Sequence, residues 1–149
     1  MSMTVLGFDF GLNRTGVAVG NTLTGLATPQ TVLYAQNNQP DWQGIERLIQ
    51  LWRPKILVVG MPRKLDGSDS SMQETILKFC RELEKRTALP VQTANEQLSS
   101  REAEQVLKSA RQAGRKRKIR KEEIDQLAAA IILENWMQEH AHQQQIQPT

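Results

Sequence analysis

Three short apolar runs open the chain. Met3–Phe8, Thr15–Gly20 and Thr28–Ala35 are each of strand length, and Gly- and Asn-rich turns separate them, as in consecutive antiparallel strands. After Asn37-Asn38-Gln39-Pro40 the period changes. Trp42, Ile45, Leu48, Ile49 and Trp52 follow the three-and-four spacing of one helix face, and Arg53-Pro54 ends it. Lys55–Met61 contains Ile-Leu-Val-Val, a continuous apolar run typical of a strand buried on both faces. Pro62–Asp69 is a polar loop. Ser71-Met72-Gln73-Glu74 predicts a capping box that opens a helix to about Arg86, with Ile76, Phe79, Cys80 and Leu83 facing in. Pro90–Ala94 is a short strand. Ser99-Ser100-Arg101-Glu102 caps a helix running to Gly114, a basic run follows, and Glu122–His140 forms the last helix around Ile124, Leu127, Ala128, Ile131 and Ile132.

The resulting order, β-β-β-α-β-α-β-α-α, predicts an α/β fold: a five-stranded mixed sheet with helices on both faces. One domain over residues 1–140 is expected, followed by a polar, disordered tail at 141–149. Right-handed crossovers would set the fourth and fifth strands parallel to the first. Ligand sites in such sheets form beyond the carboxyl ends of the parallel strands. Asp9 ends the first strand, Gly60 the fourth and Asn95-Glu96 the fifth, so chemistry is to be sought along that edge.

Composition narrows the chemistry. At 149 residues there is room for one domain with a core, and none for two nucleotide-clamping lobes. One cysteine, Cys80, excludes an internal disulfide and a cysteine-cluster zinc site, and fits a reducing compartment. The two histidines, His140 and His142, lie in the polar end of the chain, which argues against serine or cysteine catalysis with a histidine base. Apolar runs fall short of the ~20 residues of a membrane span, and the N-terminus has no signal-peptide pattern, so a cytoplasmic protein without membrane association is expected. The net charge of +3 is unevenly placed. Six of the seven residues from Arg115 to Lys121 are basic; without them 13 cations face 16 acids, a net of −3. The body of the protein is acidic, and a uniformly basic nucleic-acid coat is excluded.

Three carboxylates stand out. Asp9 sits where an apolar strand meets a glycine turn, and by itself reads equally well as a turn acid. Glu96 follows a strand just before a helix cap, where the helix dipole favours an acid. Asp125 lies beside the least polar stretch of the last helix, although an exposed first-turn position suits it too. One explanation covers all three. Carboxylates gathered at a sheet edge repel one another unless a divalent cation neutralises them, and Mg²⁺ or Mn²⁺ suits all-oxygen ligands. A pair of such ions ~3.5–4 Å apart can activate water and stabilise the leaving oxygen of a phosphodiester.

Gly7-Phe8-Asp9-Phe10-Gly11, Arg14-Thr15-Gly16-Val17-Ala18, Val58-Val59-Gly60-Met61-Pro62, Asp66-Gly67, Glu96 with Leu98-Ser99-Ser100, and Asp125 with Ala128-Ala129 and Ile132-Leu133 together resemble the YqgF family. These are bacterial proteins of RNase H-like fold, related to Holliday-junction resolvases and assigned as nucleases maturing the 5′ end of pre-16S ribosomal RNA. The matching pieces run in order from Gly7 to about Leu133. The resemblance implies that Asp9, Glu96 and Asp125 are the catalytic, metal-binding carboxylates, holding one or two ions. It implies that Arg14, Ser99 and Ser100 line the same edge, and that the partner is structured nucleic acid, precursor ribosomal RNA; a monomer or weak homodimer is expected, although no sequence feature shows a dimer. One departure stands out: where the family usually reads Asp-Glu-Arg, this chain has Asn95-Glu96-Gln97, which keeps the glutamate and loses a flanking acid and a flanking cation.

The basic run, Arg115, Lys116, Arg117, Lys118, Arg120 and Lys121, reads on its own as a solvated linker. Its place a few residues before Asp125 lets it reach phosphates lying across an acidic site, and Lys55, Arg63 and Lys64 would extend the track. Asp66 and Asp69 read as turn acids, Glu122 and Glu123 as first-turn helix acids, and Cys80, Trp42 and Trp52 as core. The rivals to a nuclease are a ribosome-assembly factor that binds RNA without catalysis and a single-domain ATP binder; a junction-cutting DNA endonuclease is a variant of the enzyme.

Overall fold

Strict alternation in the first strands decides the layers. In the computed structural model, which describes residues 3–61, 72–95 and 120–146, β1 (Thr4–Asp9), β2 (Arg14–Asn21) and β3 (Leu26–Tyr34) form an antiparallel meander. β4 (Ile56–Met61) pairs parallel with β1, and β5 (Val91–Asn95) pairs parallel with β4. The sheet order is therefore β3-β2-β1-β4-β5, the mixed five-stranded sheet expected from the element order. Strand ends differ from the expected ones by a residue or two, which matters once: β1 includes Asp9 as its last residue.

Side chains of β1 divide between two cores because successive Cβ atoms point to opposite faces. Leu6 and Phe8 join Val17, Leu57 and Val59 under α1 (Trp42–Trp52) and α2 (Gln73–Thr87), where Ile45, Ile76, Phe79, Cys80 and Leu83 close the layer. Full burial of a side chain such as Leu6 or Phe8 contributes about 1.5–3 kcal/mol. Val5, Ala18, Val58 and Ala94 face the other way, onto Ala129, Ile132, Leu133, Trp136 and Met137 of α3 (Lys121–Ile146). Helices cover both faces, as the order implied.

One helix end departs from expectation. α2 is described from Met72, at its N-cap. Ser71 itself lies outside the described residues, and Glu74 in the first turn supplies the favourable charge. α3 continues past His140 to Ile146, because alanine and glutamine are good helix formers and Pro148 is the first breaker. The helix expected at 99–114 and the loop at 62–69 lie outside the described residues. α1 has a cap unread in the sequence: Asp41 Oδ1 accepts from the Gly44 N–H at 3.0 Å.

α3 sits unusually close to the sheet. A Cβ on Gly7 would lie 2.9 Å from Leu133 Cβ and 3.2 Å from the Ala129 carbonyl oxygen, so only glycine fits under this helix. Polar tethers then hold its length. The Ala27 N–H donates to Glu134 Oε2 at 2.9 Å, and Trp136 Nε1 donates to Gln92 Oε1 at 2.9 Å. Cys80 is buried on the opposite face, and desolvation pushes its thiol up to about 11.

Candidate active site

The alternation that puts Val5 and Gly7 under α3 puts Asp9 on the same face, at the carboxyl end of β1. Across the β1–β2 ladder Asp9 is paired with Gly16. Gly16 in turn lies directly beneath the start of α3: a Cβ there would collide with the backbone carbonyl of Asp125. Two carboxylates from opposite ends of the chain are thereby drawn to one place. Asp9 and Asp125 line a single recess of about 210 Å³, together with the turn Phe10–Asn13 and Arg14.

Arg14 opens β2 and its Nε donates to Asp125 Oδ2, joining residues 111 apart in sequence. The pair is partly open to solvent, with side chains 34% and 20% exposed. The hydrogen bond to Asp125 first, then its charge, raises the Arg14 pKa above the ordinary arginine value. Arg14 faces Tyr34 across the β2–β3 ladder, and the Tyr34 hydroxyl donates to Glu122 Oε1 at 2.9 Å. Glu122 is held below the usual carboxylate range, first by a backbone N–H and then by the Tyr34 hydroxyl, while that bond raises the phenol. The first turn of α3 is therefore fastened to β2 and β3 by two polar links beside the recess.

Asp9, Arg14 and Asp125 are brought together as the sequence suggested. Arg120 and Lys121 are exposed at the start of α3, and Arg120 borders an open groove with Tyr34, Glu122, Glu123 and Gln126. Glu96, Ser99, Ser100, Arg115, Lys116, Arg117 and Lys118 lie outside the described residues, as do Arg63, Lys64, Asp66 and Asp69. Glu96 directly follows Asn95, the last residue of β5, whose partner in the parallel ladder is Met61. Lys55 is a correction. It precedes β4, and its N–H bonds the Thr4 carbonyl at the opposite end of β1 from Asp9, so it cannot extend a phosphate track along the active edge. Trp42 packs against the core as expected, half-buried and stacked on Phe79, and it also lines a cavity.

The donors that converge suit a hard divalent cation. Asp9 and Asp125 offer carboxylate oxygens in a recess that water can enter, the ligand type that Mg²⁺ and Mn²⁺ prefer. Among the described residues no group of three or more acidic, histidine or cysteine ligands converges, and Glu96, the third carboxylate expected, lies outside them. Tyr34, Glu122 and Gly16 were missed as parts of this site. Glu122 carried the ordinary signature of a first-turn acid, and nothing local in the sequence ties it to the end of β3.

Residues 3–139 match the family model RuvX, described as Holliday junction resolvase. Proteins named "Putative pre-16S rRNA nuclease" are similar over nearly their whole length. That of Azotobacter vinelandii is 45% identical over 136 residues, 91% of this chain and 93% of that one. That of Pseudomonas aeruginosa is 46% identical over 137 residues, 91% and 92%, and that of Coxiella burnetii 39% over 142 residues, 95% and 97%. Among solved structures, Thermus thermophilus RuvC in complex with Holliday junction substrate has a TM-score of 0.54 at 18% identity, covering 94% of this chain and 96% of that one. The fowlpox virus resolvase with junction DNA has a TM-score of 0.56 at 12% identity, covering 93% and 99%. At such identities the two structures show a shared fold, that of RuvC-like resolvases. No helix among the described residues is long and apolar enough to cross a membrane.

Proposed function

The chain belongs to the RuvX family, and on that premise we propose that it is a nuclease of the cytoplasm that hydrolyses phosphodiester bonds in precursor 16S ribosomal RNA, at its 5′ end. The observation that supports this most is the convergence of Asp9 and Asp125 on one recess at the carboxyl end of β1. In this reading Asp9, Asp125 and Glu96 hold Mg²⁺ or Mn²⁺. When bound, such an ion lowers the pKa of a coordinated water and neutralises charge on the phosphate. The carboxylates of Asp9 and Asp125 orient that site from two rigid elements, a central strand and a helix pinned to it. Arg14, one turn of chain away, holds Asp125 in place and offers a guanidinium to a phosphate oxygen. Water attacks phosphorus in line, the bond to the 3′ oxygen breaks, and the products carry a 5′-phosphate and a 3′-hydroxyl. The basic run from Arg115 to Lys121 draws the nucleic-acid backbone across the acidic edge.

Cleavage of precursor 16S RNA in Mg²⁺ or Mn²⁺ tests the reading, with Asp9→Asn and Asp125→Asn as controls. Loss of cleavage in both variants is expected; wild-type rates in both would sink the site assignment. The family description favours a second reading, in which the substrate is a four-way DNA junction. Running the same assay on such a junction separates the two.

A further inference from the structure

The residue after Asp9 points the other way. Phe10 leaves the α3 face and enters a second, larger cavity of about 480 Å³, walled by the β1–β2 turn, the segment before α1, and α2. That size lies within the range of about 300–1,000 Å³ typical of small-molecule sites. Its aromatic side chains form a ladder. Phe79 is stacked between Phe10, 4.5 Å away at 27°, and Trp42, 5.5 Å away at 24°, and the Arg86 guanidinium covers the Trp42 ring at 4.5 Å. Thr15, only 5% exposed, brings a hydroxyl-bearing side chain to the wall, and Asn38 and Gln39 bring amides. The acids of the wall are already engaged. Glu82 accepts from Arg86 at 2.9 Å, and Asp41 accepts from the Gly44 N–H at 3.0 Å, which leaves Lys78 to supply the positive charge. Phe10, Gly11 and Leu12 border both this cavity and the carboxylate recess.

We infer that this cavity receives an unpaired nucleobase of the substrate, next to the phosphate held at Asp9 and Asp125. Phe79 and Trp42 are covered within the stack, so the half-buried Phe10 ring at its end meets the π-face of the base, the Asn38 and Gln39 amides meet its polar edge, and Lys78 meets a flanking phosphate. A base held in a duplex cannot enter, so the cavity selects a bond beside an unstacked nucleotide. The alternation at the end of β1 makes this arrangement possible: the backbone passes over the sheet edge, with its phosphate on the α3 side and its base on the α1–α2 side. The inference rests on the nuclease reading and names the structural feature of the substrate that the enzyme would select.

The test compares two RNA hairpins that differ in one unpaired position, 2-aminopurine in one and an abasic residue in the other, bound without divalent cations. Wild-type protein should bind the base-bearing hairpin about tenfold more tightly, the scale of one stacked base, and should quench its fluorescence. Thr75→Trp, which fills the cavity from α2, should erase that difference and leave abasic binding unchanged, with thermal melting as the check on folding. Equal affinities for the two hairpins, or unquenched fluorescence, in the wild-type protein would overturn the inference, and this comparison needs no variant. Cleavage assayed alongside in Mg²⁺ keeps the two readings apart. Cleavage with equal affinities removes the base site and retains the nuclease. A base preference with no cleavage of precursor RNA or junction in Mg²⁺ or Mn²⁺ removes the nuclease and retains the base site.

Discussion

The backbone carbonyl of Asp125 occupies the space that a Cβ on Gly16 would need. Because Gly16 is also the ladder partner of Asp9, the missing side chain sets the distance between the two carboxylates. A residue of any other type at this position would lift the first turn of α3 off the sheet and open the recess.

Gly16→Ala should therefore damage both folding and the site. The forced separation should cost about 1–3 kcal/mol, as overpacking in a close-packed layer does, read as a lower urea midpoint. Cleavage should fall by more than the lost folded fraction explains, because the surviving native molecules hold Asp125 away from Asp9. A variant that melts early but cleaves normally per folded molecule would show that the Gly16–Asp125 approach does not position the site.

Arg14→Gln should separate two roles of one guanidinium. The pair with Asp125 is partly exposed, so its loss should lower stability by no more than about 1 kcal/mol. Relieved of a competing cation, Asp125 should bind Mn²⁺ more tightly, measurable by calorimetric titration. RNA affinity should fall at the same time, since a phosphate partner is lost. Weaker Mn²⁺ binding in the variant would mean that Arg14 serves Asp125 only by orienting it.

Tyr34 is the single tyrosine, so absorbance of its phenolate reports the tether between β3 and α3 directly. Its hydrogen bond to Glu122 raises the phenol pKa, so the stabilisation is fully present below the ordinary value of about 10 and is lost as pH rises through the folded value. Glu122 is shifted the opposite way. Its contribution is present above the ordinary carboxylate value of about 4.3 and is lost as pH falls through the lower, folded one. Glu122→Gln should bring the phenol midpoint back toward about 10; an unchanged midpoint would mean that the tether does not form in solution.

Replacing all six cations between Arg115 and Lys121 by glutamine should weaken RNA binding and flatten its salt dependence. Each lost phosphate contact lowers the slope of log K against log salt by roughly 0.7–0.9. Mn²⁺ affinity should stay nearly the same, since these side chains are not ligands. A salt slope equal to that of the wild type would mark the run as a solvated linker.

Legibility in the sequence follows the range of the interaction. The apolar run Met3–Phe8 reads as a strand because its length and the glycine turn after it are local signals, and the two-sided geometry of a strand puts Asp9 on one face and Phe10 on the other. The α1 face reads equally well from Trp42, Ile45, Leu48, Ile49 and Trp52. The failure is not local. Lys55 is basic and near a strand, yet which end of the sheet it occupies depends on the direction of β4 relative to β1.

By itself the sequence determined the element order, the sheet with its two covered faces, the family, and the acids worth testing at strand and helix ends. Hydrophobic period and motif spacing encode these within a few residues of chain. Only the tertiary structure decided that Arg14 pairs with Asp125, that Tyr34 holds Glu122, and that Phe10 opens a separate aromatic cavity behind the carboxylates. The cavity lies on the α1–α2 face, whereas the first two meetings depend on how closely α3 approaches β1 and β2. That approach is set by the absent side chains of Gly7 and Gly16, volumes that matter only once distant segments pack.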